Sequence, residues 1–65
     1  MKQSTVNAFL KAYSHLDITV GDLYAAYELA VAQGDDADAS LLAIRADRLF
    51  EEAESILLIV MEHES

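Results

Sequence analysis

Apolar residues recur at helical intervals along nearly the whole chain. Val6, Phe9, Leu10 and Tyr13 fall at i, i+3, i+4 and i+7, which predicts an amphipathic helix from about Ser4 to His15. Ser4 is a good N-cap residue for it. Leu16 lies near the same face as this helix ends. A second helix is expected to start at Thr19. The segment Thr19-Val20-Gly21-Asp22 reads as a capping box with Asp in place of Glu, and Ile18 and Leu23 have the spacing of a hydrophobic staple. Val20, Leu23, Tyr24, Tyr27 and Val31 share one face. Gly34, after Gln33, reads as the left-handed residue that closes the helix.

The third segment runs from about Asp36 or Asp38 to Glu62, roughly seven turns. Leu42, Ala46, Leu49, Ala53, Ile56 and Val60 alternate at spacings of four and three, a heptad-like seam. Phe50 and Leu57 widen it on one side, and the small Ala46 and Ala53 admit a close neighbour. Short connections favour antiparallel packing. The expected fold is therefore all-α: one domain over residues 1–65, a small three-helix bundle with a long C-terminal helix.

Composition sharpens this picture. The chain has 65 residues, no proline and two glycines. Cysteine is absent, so disulfides and thiolate metal sites are excluded. A chain this short buries only about 60% of its unfolded surface and is marginally stable alone. The longest apolar run, Ile56 to Met61, is far shorter than the ~20 residues that span a bilayer. It is apolar all round the helix, and Leu58 falls on the same face as several acids. Most of the run is expected to be buried, with a homodimer or partner contact as the alternative.

Charge is the feature that points to function. Twelve acidic side chains against 4 basic ones give a formal charge of −8, on a chain that is 54% hydrophobic. Disordered acidic tails lack such apolar content. A folded body keeping this much self-repulsion would be repelled by anionic lipid and nucleic acid and attracted to basic surfaces. The carboxylates are not scattered. Asp47, Glu51 and Glu54 fall within about 60° on the third helix, and Glu62 rejoins them two turns on. Their axial spacings of roughly 6 and 4.5 Å approach those of phosphates along a nucleic-acid strand. Glu52 lies farther round. Asp35, Asp36 and Asp38 form a second cluster, which also complements the dipole at the helix start. The competing reading of the stripe is a solvated face in which Arg48 pairs with Glu51 or Glu52.

Other chemistries find little support. Asp36-x-Asp38-x-Ser40 resembles the start of a calcium loop, but Leu41 stands where that loop needs glycine and the closing Glu is missing. His15 and His63 are isolated, with no converging set of metal ligands. Ser4, Ser14, Ser40, Ser55 and Ser65 sit in no nucleophile motif. No enzyme, metal or cofactor is expected. The aromatic residues Phe9, Tyr13, Tyr24, Tyr27 and Phe50 read first as core, with Tyr24 and Tyr27 candidates for a binding edge.

Size, acidity, the absence of Cys and Pro, and the helical pattern together resemble the small phage-encoded anti-CRISPR proteins, in particular DNA-mimic inhibitors of type I systems. The resemblance covers the chain in general character and rests on no motif. It implies a non-enzymatic inhibitor in the bacterial cytoplasm that blocks DNA binding by a basic protein, such as a DNA-recognising CRISPR–Cas subunit. The residues expected to contact that partner are Asp47, Glu51, Glu52 and Glu54, with Asp35, Asp36 and Asp38 as a second patch. No direct nucleic-acid or membrane partner is expected, and a monomer is favoured over a homodimer. The rival reading is a helical assembly or adaptor module that acts through its apolar seam, with the acids serving solubility.

Overall fold

The computed structural model describes residues 1–64; Ser65 lies outside the described residues. It contains two long helices, α1 (Gln3–Ala32) and α2 (Asp36–Glu64), joined by Gln33-Gly34-Asp35. They form an antiparallel hairpin, a rod with extents of 48 × 14 × 13 Å. The all-helical class stands, but the three-helix bundle is replaced by two helices. The two N-terminal helices expected from the sequence are one continuous helix.

The reason lies at the supposed break. Thr19 does not cap a new helix; its Oγ1 donates to the His15 carbonyl at 2.9 Å, a bond that belongs to a helix interior. Ile18, expected to staple the break, is 62% exposed. Gly21 inside a helix costs about 1 kcal/mol relative to alanine. Burying a valine contributes roughly 1.5 kcal/mol or more, and Val20 next to this glycine is buried in the seam of the continuous helix. With no proline to stop it, the helix continues. The start is also shifted. Lys2 is the N-cap residue and makes no side-chain cap bond, while Ser4 lies inside α1.

A continuous α1 puts Val6, Phe9, Tyr13, Leu16, Val20, Leu23, Tyr27 and Ala30 on an unbroken three–four spacing. These become the a and d positions of a heptad. In α2 the buried residues are Ala39, Ala46, Ala53 and Val60, one every seven residues, with Leu42, Leu49 and Ile56 half-buried between them. The larger side chains of α1 thus meet a helix whose most buried positions are mostly alanine. Small residues there let the two backbones approach closely and seal a narrow seam. No large side chain among the described residues is fully buried.

The turn is a Schellman motif. Gly34 has φ +73°, the left-handed conformation expected of it. Its N–H donates to the Val31 carbonyl at 3.0 Å, and the Asp35 N–H donates to Ala30 at 2.8 Å. The Asp35 carbonyl then accepts the Ala39 N–H at 2.9 Å and opens α2. Asp36 and Asp38 occupy the first turn, where their charges complement the helix dipole.

A two-helix rod leaves much surface uncovered. Surface scaling for a 7.1 kDa folded monomer gives about 4,100 Å²; this chain exposes 4722 Å². Several large apolar side chains contribute, among them Phe50 at 48% and Met61 at 57% exposure.

Candidate functional site: an acidic flank studded with apolar side chains

The heptad fixes which residues lie beside the seam. In an antiparallel pair the e positions of both helices share one flank and the g positions share the other. The e flank carries Leu10, Asp17, Tyr24 and Val31 from α1, and Ala43, Phe50 and Leu57 from α2. The adjoining b positions of α2 are Ser40, Asp47, Glu54 and Met61. None of the e or b positions of either helix holds a lysine or an arginine. Arg45 and Arg48 fall at g and c, on the other side of α2.

The helices are tied across this flank. The Tyr24 hydroxyl donates to Asp47 Oδ1, which fixes the register of the hairpin at that level. The bond to Asp47, then burial, then the charge of Asp47 all push the Tyr24 hydroxyl above its ordinary pKa of 10.0. Tyr24 is held from behind by Tyr27, edge to face, with ring centroids 6.5 Å apart. Tyr27 lies in the seam, so the carboxylate is linked through two aromatic rings to the packed core. Both tyrosines were core candidates from their spacing; Tyr27 is half-buried and Tyr24 stands at the exposed edge.

Asp47, Glu51 and Glu54 are all exposed on the outward side of α2, as their spacing predicts. The pairing of Arg48 with Glu51 or Glu52 is not formed: among the described residues Glu51, Glu52 and Glu54 enter no ion pair. Phe50 and Leu58 line a shallow depression together with Glu51, Glu54 and Glu62. Within the apolar run, Val60 is buried and Ile56, Leu57 and Ile59 are half-buried, while Leu58 and Met61 stand more than half exposed. The run is therefore partly covered, and the uncovered part lies beside the carboxylates.

The remaining predicted contact residues sit elsewhere. Glu52 is on the g flank with Arg45, away from the stripe. Asp35, Asp36 and Asp38 are exposed at the turn, about 27 Å from Glu54 along α2. There a hydrogen bond with Asp38, reinforced by its charge, raises the Asp35 carboxyl above its usual pKa of 3.8. The structure thus brings Asp47, Glu51 and Glu54 together and leaves the turn cluster as a separate patch. Sequence reasoning missed Asp17, which joins the flank only because α1 is continuous.

Among the described residues no group of His, Asp and Glu could hold a metal ion. No helix among them is long and apolar enough to cross a membrane. No protein-family model matches the chain, and neither a curated protein nor a solved structure matches it.

Proposed function

We propose that this chain is a non-enzymatic acidic inhibitor that occupies the basic groove of a nucleic-acid-binding protein, of the kind found in CRISPR–Cas surveillance complexes. One observation carries the reading: three exposed carboxylates, Asp47, Glu51 and Glu54, form one stripe with no basic side chain paired to them among the described residues. Like charges at i, i+4 destabilise a helix by a few tenths of a kcal/mol. A basic partner turns that repulsion into attraction. Its lysines and arginines would engage these carboxylates in place of phosphates, and the field of a −8 chain would steer the encounter. Tyr24 holds Asp47 in place and lowers the ordering cost at that point of the stripe.

The test is charge reversal. The double variant Glu51→Lys, Glu54→Lys changes two exposed positions and should keep its helicity by circular dichroism. It should lose binding to a basic nucleic-acid-binding partner. Full binding by the folded variant would sink the proposal.

A helical assembly module is the second reading, favoured by the exposure of Leu58 and Met61. It requires stable self-association that survives high salt in sedimentation.

A further inference from the structure

From the e flank we infer that the hairpin is two-thirds of a three-helix bundle, and that the third helix is a basic amphipathic helix supplied by the partner. This rests on the acidic reading above and specifies what the partner presents.

The flank has the two elements such a helix would recognise. Leu10, Tyr24, Phe50 and Met61 are each 37% to 57% exposed, so apolar area is available along the groove between α1 and α2. Asp17, Asp47 and Glu54 border the same groove, and its e and b positions hold no base. From Leu10 to Tyr24 the apolar residues extend about 21 Å along α1, the length of a helix of roughly 14 residues. The complement is a helix with apolar side chains at i, i+3, i+4 and i+7, flanked by Lys and Arg.

The rod as a whole exposes some 600 Å² beyond the scaling value for its mass, so apolar surface is left for a partner to cover. A second copy fits the flank poorly, because it would set Asp17, Asp47 and Glu54 against their own duplicates without a countercharge. The opposite flank also carries exposed apolar side chains, Leu29 and Leu41 at its adjoining c positions, but there Arg45 and Arg48 stand among its acids, so it lacks the uniform sign that a basic helix recognises.

The probe is a synthetic helix of about 14–18 residues with leucine on one face and lysine and arginine on the others. Its control has the same composition in a scrambled order that destroys the helical period. Amide chemical-shift mapping of this protein should place the amphipathic peptide on the e flank, one per chain. Phe50→Ser and Met61→Ser alter exposed side chains and should weaken binding roughly tenfold or more while the helices persist. Equal binding of the scrambled peptide, shifts centred on the Asp35–Asp38 turn, or no binding would each overturn the inference. If the peptide fails while the Glu51, Glu54 reversal still abolishes binding to a nucleic-acid-binding protein, the acidic stripe stands and only the third helix is lost.

Discussion

Replacing Ala46 by leucine should be among the most damaging changes in this chain. Ala46 has no solvent exposure and lies centrally in the α2 seam, between Ala39 and Ala53. Leucine adds three carbon atoms at a position already sealed from solvent. Overpacking of a sealed site costs about 1–3 kcal/mol. In a domain of this size each kcal/mol moves the melting temperature by about 4–8 °C. A loss near 2 kcal/mol therefore lowers the melt by roughly 8–16 °C. Ala25→Leu is the control, because Ala25 lies on the outer face of α1 and is exposed. A substitution there should stay within about 0.5 kcal/mol of the parent. Both are read by thermal melts followed by far-UV circular dichroism. If Ala46→Leu melts with the Ala25→Leu control, alanine does not set the helix separation and the described seam is wrong.

The two glycines should respond in opposite directions. At Gly21 a methyl group meets nothing within 4 Å, and the helical backbone suits alanine, so Gly21→Ala should stabilise by about 0.5–1 kcal/mol. Gly34 has φ +73°, so Gly34→Ala should destabilise by about 1–2 kcal/mol despite equally open space. Denaturant melts of both variants decide it, and a stabilising Gly34→Ala contradicts the turn. Asp35 supplies a pH signature. Its folded pKa is raised, so the protonated form is favoured in the folded state. That contribution is complete below 3.8 and is lost as pH rises through the raised value. Asp35→Asn, which keeps a good N-cap residue, should melt above the parent near neutral pH, and the gap should close as pH falls to about 4. A gap that does not vary with pH would remove Asp38 as its cause.

Much of α2 was legible in the sequence. Its seam, its first-turn aspartates and the closing glycine of the turn follow from residue chemistry that nothing elsewhere overrides. The segment between His15 and Thr19 reads as a helix break, and lies inside α1, for a physical reason. Thr-x-x-Asp is a capping box only if the helix begins there; inside a helix the same threonine bonds back to the residue four before it, as Thr19 does to His15. The signal that resolves the ambiguity is longer than one motif. From Val6 to Ala30 the three–four spacing never loses phase, which a broken chain would have no need to keep.

The acidic site was half legible for a related reason. Asp47, Glu51 and Glu54 are near in sequence, so helical geometry alone places them together. Their apolar and acidic neighbours from α1 depend on the pairing of two helices. Once α1 is split into two segments, neither Asp17 nor Leu10 can be assigned to the flank. The number of helices also determines whether the apolar side of α2 is covered by this chain or left for another.

The proposed function has the acidic stripe competing for a basic nucleic-acid-binding surface. Its most direct measurement is a pull-down from bacterial lysate with this protein as bait, eluted stepwise with salt and, in parallel, with duplex DNA, and with the partner identified. The expected result is a basic nucleic-acid-binding protein that is released both by high salt and by the duplex. A neutral partner, or one that duplex DNA cannot displace, would contradict it.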